Sequence, residues 1–169
     1  MAKSTFSGPV KSLAGFISAG VNNSVSLTAD TTLTVDAHAG KILLCNDADG
    51  KFTLPSIVST TPSDPTDPNQ ANNIGASFYF DIETAATDLD ILTDGTDKFK
   101  GAVLVAVDDG AKKAFVPAAS NDVMTMNGST KGGIAGSVVR VTAIDAATYL
   151  VHDSLLIGSG TIVTPFADA

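Results

Sequence analysis

Hydrophobic and polar residues alternate in short bursts along most of the chain, and this period of two predicts β-strands. The clearest burst is GASFYFDIE (75–83), where Phe78, Phe80 and Ile82 fall on one face of a strand. The opposite face of that strand carries Ser77, Tyr79 and Asp81. The segment is therefore predicted to be a strand with one apolar and one polar face.

Similar bursts recur on both sides of this strand. Those before it contain Val25 and Leu27, Leu33 and Val35, Lys41–Cys45, and Phe52 and Leu54. Those after it contain Leu89 and Ile91, a hairpin within 101–117 with DDG at its turn, Met124–Met126, 137–144, 148–153 and a strand-like piece near Leu155–Ile157. Asp- and Gly-containing turns separate many of the bursts at intervals of about eight to twelve residues, which is typical of β-sandwiches and barrels.

Composition strengthens the prediction of an all-β protein. Of the 18 acidic residues, 17 are aspartate and Glu83 is the sole glutamate, while threonine occurs 19 times. Aspartate favours turns and caps, and threonine, valine and isoleucine favour strands. We predict a compact antiparallel β-sandwich or barrel-like domain.

Two segments depart from the strand pattern and define the predicted domain organisation. Residues 1–24 are rich in Gly, Ser and Asn and are predicted to be an N-terminal arm. Residues 25–169 are predicted to form a single β-domain that contains a long, exposed, proline-rich loop at 59–73. A short helix over residues 9–18 is the alternative for the arm.

Charge and hydropathy narrow the classes of partner. The formal net charge is −8, so the surface should repel a polyanion such as DNA, and we expect no nucleic-acid partner. The apolar runs are far shorter than the roughly 18 residues of a membrane span, and we expect no membrane partner. Cys45 is the only cysteine, so an internal disulfide is excluded, and its apolar surroundings predict a small core residue.

The stretch NGSTKGGIAGS (127–137) invites comparison with a phosphate-binding loop. In the Walker motif a lysine directly follows the last glycine and a helix comes next, but here Lys131 precedes Gly132 and a predicted strand follows. The glycines are therefore predicted to serve a tight connection between two strands.

The other candidate motifs also favour structural roles. NDADG resembles part of a calcium loop, but Cys45 and Ser56 stand where its first and twelfth ligands would lie. His38 in a predicted turn, and His152 after a predicted strand, have no spacing that joins them to Cys45 as metal ligands. We therefore predict no catalytic residues, no cofactor and no metal site, and a protein that is not an enzyme.

Three segments taken in order resemble a known class of proteins. These are STFSGPVKSLAGF, then TLTVDAHAGKILL with FTLP, then NDVMTMNGSTKGGIAGSVVRVTAIDAATYLVHDSLL with TPFADA. The order is similar to that in small structural proteins of tailed phages, particularly marine phages and cyanophages, described as capsid decoration, head-cement or head-fibre proteins. One departure is that such proteins often carry a tryptophan in the last strand pair, where this chain has Tyr149.

The resemblance implies an all-β virion protein on the outer capsid surface, made in the host cytoplasm, that binds the major capsid protein and stabilises the head as a homotrimer. The alternative is a carbohydrate-binding fibre or spike module for attachment to a host surface. That alternative needs surface aromatic residues for sugar stacking, and the chain has eight Phe but only two Tyr, with most Phe in core-like positions.

The N-terminal arm is the predicted contact with the capsid or a neighbouring subunit. Apolar residues punctuate it without a clear β pattern, and Lys3 and Lys11 give it a charge of +2. The predicted contact residues are Phe6, Val10, Lys11, Leu13, Phe16 and Ile17. A basic arm with apolar anchors suits an acidic partner surface, and the alternative is that it packs on its own domain.

Overall fold

The structure is a computed structural model that describes residues 23–59, 72–108 and 110–169. The arm contacts predicted at Phe6, Val10, Lys11, Leu13, Phe16 and Ile17 lie outside the described residues, as does most of the predicted proline-rich loop. Within those ranges, no helix is long and apolar enough to cross a membrane.

Strands dominate the described chain. They are β1 (Ser24–Leu27), β2 (Thr31–Thr32), β3 (Ile42–Cys45), β4 (Lys51–Thr53), β5 (Ser77–Ile82), β6 (Leu89–Leu92), β7 (Lys98–Gly101), β8 (Val103–Val107), β9 (Lys112–Phe115), β10 (Val123–Met126), β11 (Val138–Asp145), β12 (Thr148–Gly158) and β13 (Phe166–Ala167). A single turn of helix, α1 (Val35–His38), lies between β2 and β3.

The strands form two sheets that pack together as a sandwich. Sheet A has the order β1-β3-β5-β11-β12-β8-β9, with β7 paired to the first part of β12, and sheet B has the order β13-β10-β6-β4-β2. The predicted all-β sandwich is confirmed. The prediction of antiparallel sheets is wrong in part, because β1, β3 and β5 run parallel in sheet A and β2, β4 and β6 run parallel in sheet B.

The parallel strands arise because the chain from β1 to β6 changes sheet at every connection. It winds three times around the core, and each turn adds one strand to each sheet. After β6 the pairing is mixed. Strand β10 runs antiparallel to β6 and β11 runs antiparallel to β5, whereas β7 and β8 run parallel to β12.

The core lies between the sheets and is built from the apolar faces that the alternation predicts. Phe78, Phe80 and Ile82 of β5 are fully buried. Phe80 stacks across the core on Phe52 of sheet B, with ring centroids 6.4 Å apart. Cys45 is also buried, and burial raises the pKa of its thiol, in agreement with the predicted core role.

Strand β12 is longer than predicted. A β-bulge interrupts the alternation of its apolar and polar residues, so the sequence suggests two separate strands. The sequence suggests one strand at 148–153 and a separate piece near Leu155, but the structure joins them. At the bulge Asp153 has φ 47°, and the pairing with β11 shifts by one residue. In the adjacent strand β7, Gly101 has φ 98°, and a Cβ there would overlap the carbonyl oxygen of Val151. His152 lies within β12, which agrees with the predicted strand at 148–153 and corrects the description of His152 as following a strand.

Local polar contacts explain a second difference from the prediction, at residues 33–35. Leu33 is buried as expected, but Val35 starts α1 and is exposed, so the predicted strand does not extend through it. The Thr34 hydroxyl accepts a hydrogen bond from Ala37 N–H at 3.3 Å, which caps the helical turn. A side-chain cap thus wins over the alternating pattern.

The ends of the predicted proline-rich loop are held together by Asn73. Its Oδ1 accepts a hydrogen bond from Val58 N–H at 2.7 Å, and its Nδ2 donates to Ser56 O at 2.9 Å. Asn73 is buried, so the prediction of an exposed segment at 59–73 fails at this last residue. Residues 60–71 lie outside the described ranges.

The glycine-rich segment is a compact turn between β10 and β11, as predicted. The Asn127 Oδ1 accepts hydrogen bonds from Ser129 N–H at 3.1 Å and Lys131 N–H at 2.9 Å. Gly132 has φ 75°, and a Cβ there would lie 2.5 Å from the Cβ of Leu156. Close approach to the core strand β12 therefore requires glycine at this position.

Candidate functional site

The face of sheet A that points away from sheet B carries two surface regions that could bind a partner or a ligand. We call it the outer face. One part is apolar and spans β8, β9, the end of β12 and the first residue of β11. The other part is polar and spans β3, β5, β11 and the start of β12.

The apolar patch is a set of cross-strand neighbours that point outward. Leu155 lies opposite Leu104 on one side and Val138 on the other, while Ile157 lies opposite Ala106. Its members are Leu104, Ala106, Ala114, Val138, Leu155 and Ile157. Directly opposed side chains on one face of a sheet touch, so these residues form a continuous surface.

The β12 bulge decides which leucine joins the patch. Before the bulge, Tyr149 and Val151 point into the core; after it, Leu156 is buried and Leu155 is 40% exposed. Leu104 opposite is 39% exposed. A regular strand would turn Leu155 inward and Leu156 outward. The extra residue therefore sets the surface leucine beside Leu104.

A cavity of about 290 Å³ adjoins the patch at the ends of β8 and β12. Its lining is mainly apolar, from Ala106, Val107, Ile134, Ile157 and Gly158, with Asp108 and Ser159 as polar members. Apolar surface that is both continuous and concave is typical of protein-contact sites.

Strand β9 forms the edge of sheet A beside the patch and carries Lys112 and Lys113. The Lys113 ammonium donates a hydrogen bond to Ile162 O at 3.2 Å, which ties this edge to the segment before β13. Lysines on an edge strand disfavour pairing with a strand of another chain. Contact on this side of the molecule should therefore use the face of the sheet instead of its edge.

The polar part is organised by a string of hydrogen bonds. The Asp153 carboxylate lies 3.0 Å from Nδ1 of His152, whose Nε2 lies 2.8 Å from the Thr142 hydroxyl. The Thr142 hydroxyl is hydrogen-bonded in turn to the Ser77 hydroxyl. Side chains from three neighbouring strands, β5, β11 and β12, are thereby held in fixed positions.

The order of carboxylate, imidazole and hydroxyl in this string is that of a catalytic triad, but its surroundings differ from those of a triad. In a Ser–His–Asp site the carboxylate is buried and orients the imidazole. Here the Asp153 side chain is 69% exposed and also lies 3.6 Å from the Arg140 guanidinium. The Thr142 hydroxyl is shared with Ser77. These features favour a role in placing Ser77 and Arg140.

A second cavity, of about 240 Å³, lies beside this string where the turn after α1 meets β5. It is lined by Gly40, Lys41, Ile42, Ser77, Tyr79 and Arg140. Tyr79 pairs with Ile42 on one side and Arg140 on the other, so three adjacent strands supply the floor. We call it the Tyr79 pocket.

Two buried ionisable groups, Tyr149 and Asp122, have shifted pKa values. The Tyr149 hydroxyl donates to Pro55 O at 2.6 Å, and burial together with Asp97 and Asp94 raises its pKa. Burial alone would raise the pKa of Asp122, but hydrogen bonds from Lys98 and the Ala169 N–H lower it overall.

The other motifs considered from sequence stay separate. Asp94 accepts hydrogen bonds from Thr96 N–H at 2.8 Å and Asp97 N–H at 3.0 Å, which fix the turn between β6 and β7. Through the described ranges there is no group of three His, Cys, Asp or Glu side chains suited to hold a metal ion. Among the described residues, His38, His152 and Cys45 do not come together in such a group.

Comparison with models of protein families, with curated protein sequences and with solved structures finds no match to this chain. The outer-face features must therefore be interpreted from their own chemistry. Sequence reasoning missed the Tyr79 pocket, although two signals pointed to it. Arg140 is the sole arginine, and Ser77 and Tyr79 were placed on the polar face of β5.

Proposed function

We propose that the protein is a structural virion protein that binds the outer surface of an assembled phage head and stabilises it as a capsid decoration or cement protein. Two considerations support this proposal. One is the resemblance of the three ordered segments to phage decoration proteins. The other is the apolar patch on the outer face of sheet A.

The observation that carries the proposal on the β-domain is the exposed Leu104–Leu155 pair at the centre of the patch. Continuous apolar surface on a sheet suits contact with another folded protein surface. Each leucine that becomes fully buried contributes about 1.5–3 kcal/mol before the costs of association. The patch is therefore proposed to lie against the major capsid protein.

The N-terminal arm is proposed as a second contact. Phe6, Leu13 and Phe16 would supply apolar anchors, and Lys3 and Lys11 would face an acidic partner surface. Charges at a solvated rim contribute little and weaken in salt, so the apolar anchors should dominate. Trimer formation belongs to the same proposal, either in solution or on the capsid.

Co-sedimentation with heads that lack this protein tests the proposal. Wild type, a deletion of residues 2–20, Leu104→Thr/Leu155→Thr and the combined variant are compared. Threonine keeps the β-propensity of these strand positions while it removes the apolar contact. Binding should weaken about 10- to 100-fold in the double variant, since roughly 1.4 kcal/mol corresponds to tenfold.

Ile144→Thr is the matched control, because Ile144 is 41% exposed on a strand of the same sheet but lies outside the patch. Its binding should equal that of wild type. If Leu104→Thr/Leu155→Thr folds and binds at full occupancy, the patch is not a capsid contact. If wild type itself does not bind heads, the decoration role is wrong.

The second candidate function, a carbohydrate-binding fibre or spike module, is favoured by one observation, the Tyr79 pocket. Tyr79 is a surface aromatic residue beside hydroxyl and cationic side chains. A pull-down on immobilised host-surface glycans, with Tyr79→Ala as the negative variant, tests this function. Retention that Tyr79→Ala does not reduce would contradict it.

A further inference from the structure

We propose that the Tyr79 pocket binds a carboxylated sugar. The proposal rests on the second candidate function, for which it names the class of ligand, and it does not depend on attachment to a capsid. It rests on the size of the cavity, on the charges at its rim and on the hydroxyl groups in its floor.

The pocket is small and preformed. Its volume of about 240 Å³ lies below the roughly 300–1,000 Å³ of sites for drug-sized ligands, so it suits one sugar ring better than an extended molecule. One wall is fixed by a hydrogen bond from Gly40 N–H to Ser77 O at 2.8 Å. The floor is fixed by the pairing of Tyr79 with Ile42 and Arg140.

Two cations and no carboxylate line the pocket, although the whole chain carries a net charge of −8. Within the described part of the chain, the Lys41 ammonium has no carboxylate in ion-pair range. The Arg140 guanidinium is 3.6 Å from Asp153, a contact that leaves most of its five N–H donors available. A ligand carboxylate can therefore receive charge-assisted hydrogen bonds from both sides.

Hydroxyl groups in the pocket suit a polyhydroxylated ligand. The Ser77 hydroxyl is oriented by Thr142, and Thr142 is oriented by His152. The Tyr79 hydroxyl has no hydrogen-bond partner among the described residues. A hydroxyl can donate as well as accept, which matches the mixed demands of sugar hydroxyls.

Apolar surface distinguishes a sugar acid from a bare anion. Ile42 is 43% exposed at the pocket, and Tyr79 combines an aromatic body with a polar tip. Inorganic phosphate would use the cations but would gain nothing from these two side chains. A ring with an apolar face, several hydroxyls and one carboxylate uses all the groups present.

The position of the pocket is compatible with a partner on the apolar patch. Three strand-to-strand steps, from β5 through β11 and β12 to β8, separate Tyr79 from Leu104. At about 4.8 Å and 20–25° of twist per step, these two residues lie roughly 14 Å apart and point in directions about 60–75° apart, although Arg140 of the pocket is two residues from Val138 of the patch on β11. A partner centred on Leu104 and Leu155 therefore need not cover Tyr79.

Titration of the ¹⁵N-labelled full-length protein, followed by amide NMR shifts, tests the inference with three probes: glucuronate, glucose and inorganic phosphate. Glucuronate should shift the amides around residues 40–42, 77–79 and 140. Glucose, which lacks the carboxylate, should bind at least fivefold more weakly. Phosphate, which lacks the ring, should also bind at least fivefold more weakly.

Variants locate the site within the same experiment. Arg140→Gln should weaken glucuronate binding at least tenfold, and Tyr79→Phe should weaken it severalfold without loss of the fold. Lys112→Gln removes a cation outside the pocket and should leave binding unchanged. The inference is overturned if glucuronate causes no shifts at the pocket, if phosphate binds as tightly as glucuronate, or if neither pocket variant changes its affinity.

Discussion

The two parts of the outer face of sheet A belong to one surface but differ in how they could recognise a partner. In the polar part, side chains hold one another, as in the string from Asp153 to Ser77. In the apolar patch, Leu104 and Leu155 meet only by packing. Directional contacts select a small ligand by the position of its groups, whereas apolar area rewards any partner with a complementary shape.

Strand β12 passes through both parts, and its bulge marks the border between them. His152 belongs to the polar part and Leu155 to the patch, with the positive-φ residue Asp153 between them. One extra residue in a central strand thus places two kinds of surface on one sheet.

The largest expected effect is the loss of the fold in a control deletion, which tests the bulge as the border. Deleting Asp153 itself should leave the protein folded, because one residue fewer makes the pairing of β12 regular with Val138–Arg140 of β11 and with β7 and β8. The relieved positive φ should partly offset the cost of turning Ser154 inward, so stability should change by no more than about 2 kcal/mol. Thermal unfolding followed by circular dichroism measures the change.

Deleting Tyr79 from strand β5 is the control. The pairings of β5 with β3 and β11 contain no register shift that could absorb the loss, so side chains beyond the deletion would swap faces and the cooperative fold should be lost. If the Asp153 deletion unfolds the protein as completely as the Tyr79 deletion, the bulge is not a removable extra residue.

The next effect compares the two tyrosines, one beneath the polar part and one on it. Tyr149→Phe should lower the free energy of unfolding by about 1–3 kcal/mol, because the buried Pro55 carbonyl loses its donor. Tyr79→Phe should change it by less than about 0.5 kcal/mol. Urea unfolding of both variants measures the difference, and equal losses would contradict the assigned contacts.

The raised pKa of Tyr149 adds a pH dependence with a defined sign. Its neutral form is favoured by folding, so this stability is present below about pH 10, the ordinary tyrosine value, and is lost as the pH rises further. Tyr149→Phe should lack this alkaline loss. Stability curves for wild type and variant that stay parallel above pH 10 would show that Tyr149 does not titrate in this way.

A smaller effect is expected on the acid side, at Lys98–Asp122. The pKa of Asp122 is lowered on folding, so its stabilisation is present above about pH 4, the ordinary aspartate value, and is lost as the pH falls. Asp122→Asn should be less stable than wild type at pH 7 but should lose less stability between pH 5 and pH 2. Unfolding midpoints across that range measure this, and an unchanged slope would contradict it.

The smallest effect separates the two parts by salt. Raising NaCl from about 50 to 500 mM should weaken glucuronate binding at the Tyr79 pocket severalfold, since salt screens exposed charges. Binding to heads through the patch should change by less than twofold in the deletion of residues 2–20, which lacks the arm lysines. Equal salt dependence in both assays would mean that the two parts do not differ in kind.

Much of the sandwich could be predicted from the sequence because alternation reports which face of a strand is buried. The apolar side of β5 and the turn at 127–136 were predicted for the right physical reasons. The parallel pairing within β1, β3 and β5 and within β2, β4 and β6 could not be predicted from the sequence. Strands with one buried face show the same alternation whether they pair parallel or antiparallel. Turn residues favour a hairpin where the chain in fact crosses to the other sheet.

The functional surface was less predictable because it depends on pairing register. His152 and Thr142 are ten residues apart and meet only because β11 and β12 pair antiparallel. Ser77 and Tyr79 meet Lys41 and Arg140 only through the neighbours of β5 in the sheet. The apolar patch could not be predicted because the bulge at Asp153 breaks the alternation in β12. A broken alternation suggests that the strand ends there.

Hydroxyl-radical footprinting of the protein, free and bound to heads, reports side-chain exposure at the apolar patch and at the Tyr79 pocket in one experiment. We expect Leu104 and Leu155 to become severalfold less reactive on the capsid while Tyr79 keeps its reactivity. Protection of Tyr79 with unchanged Leu104 and Leu155 would contradict the assignment of the patch as the capsid contact and the pocket as an open binding site.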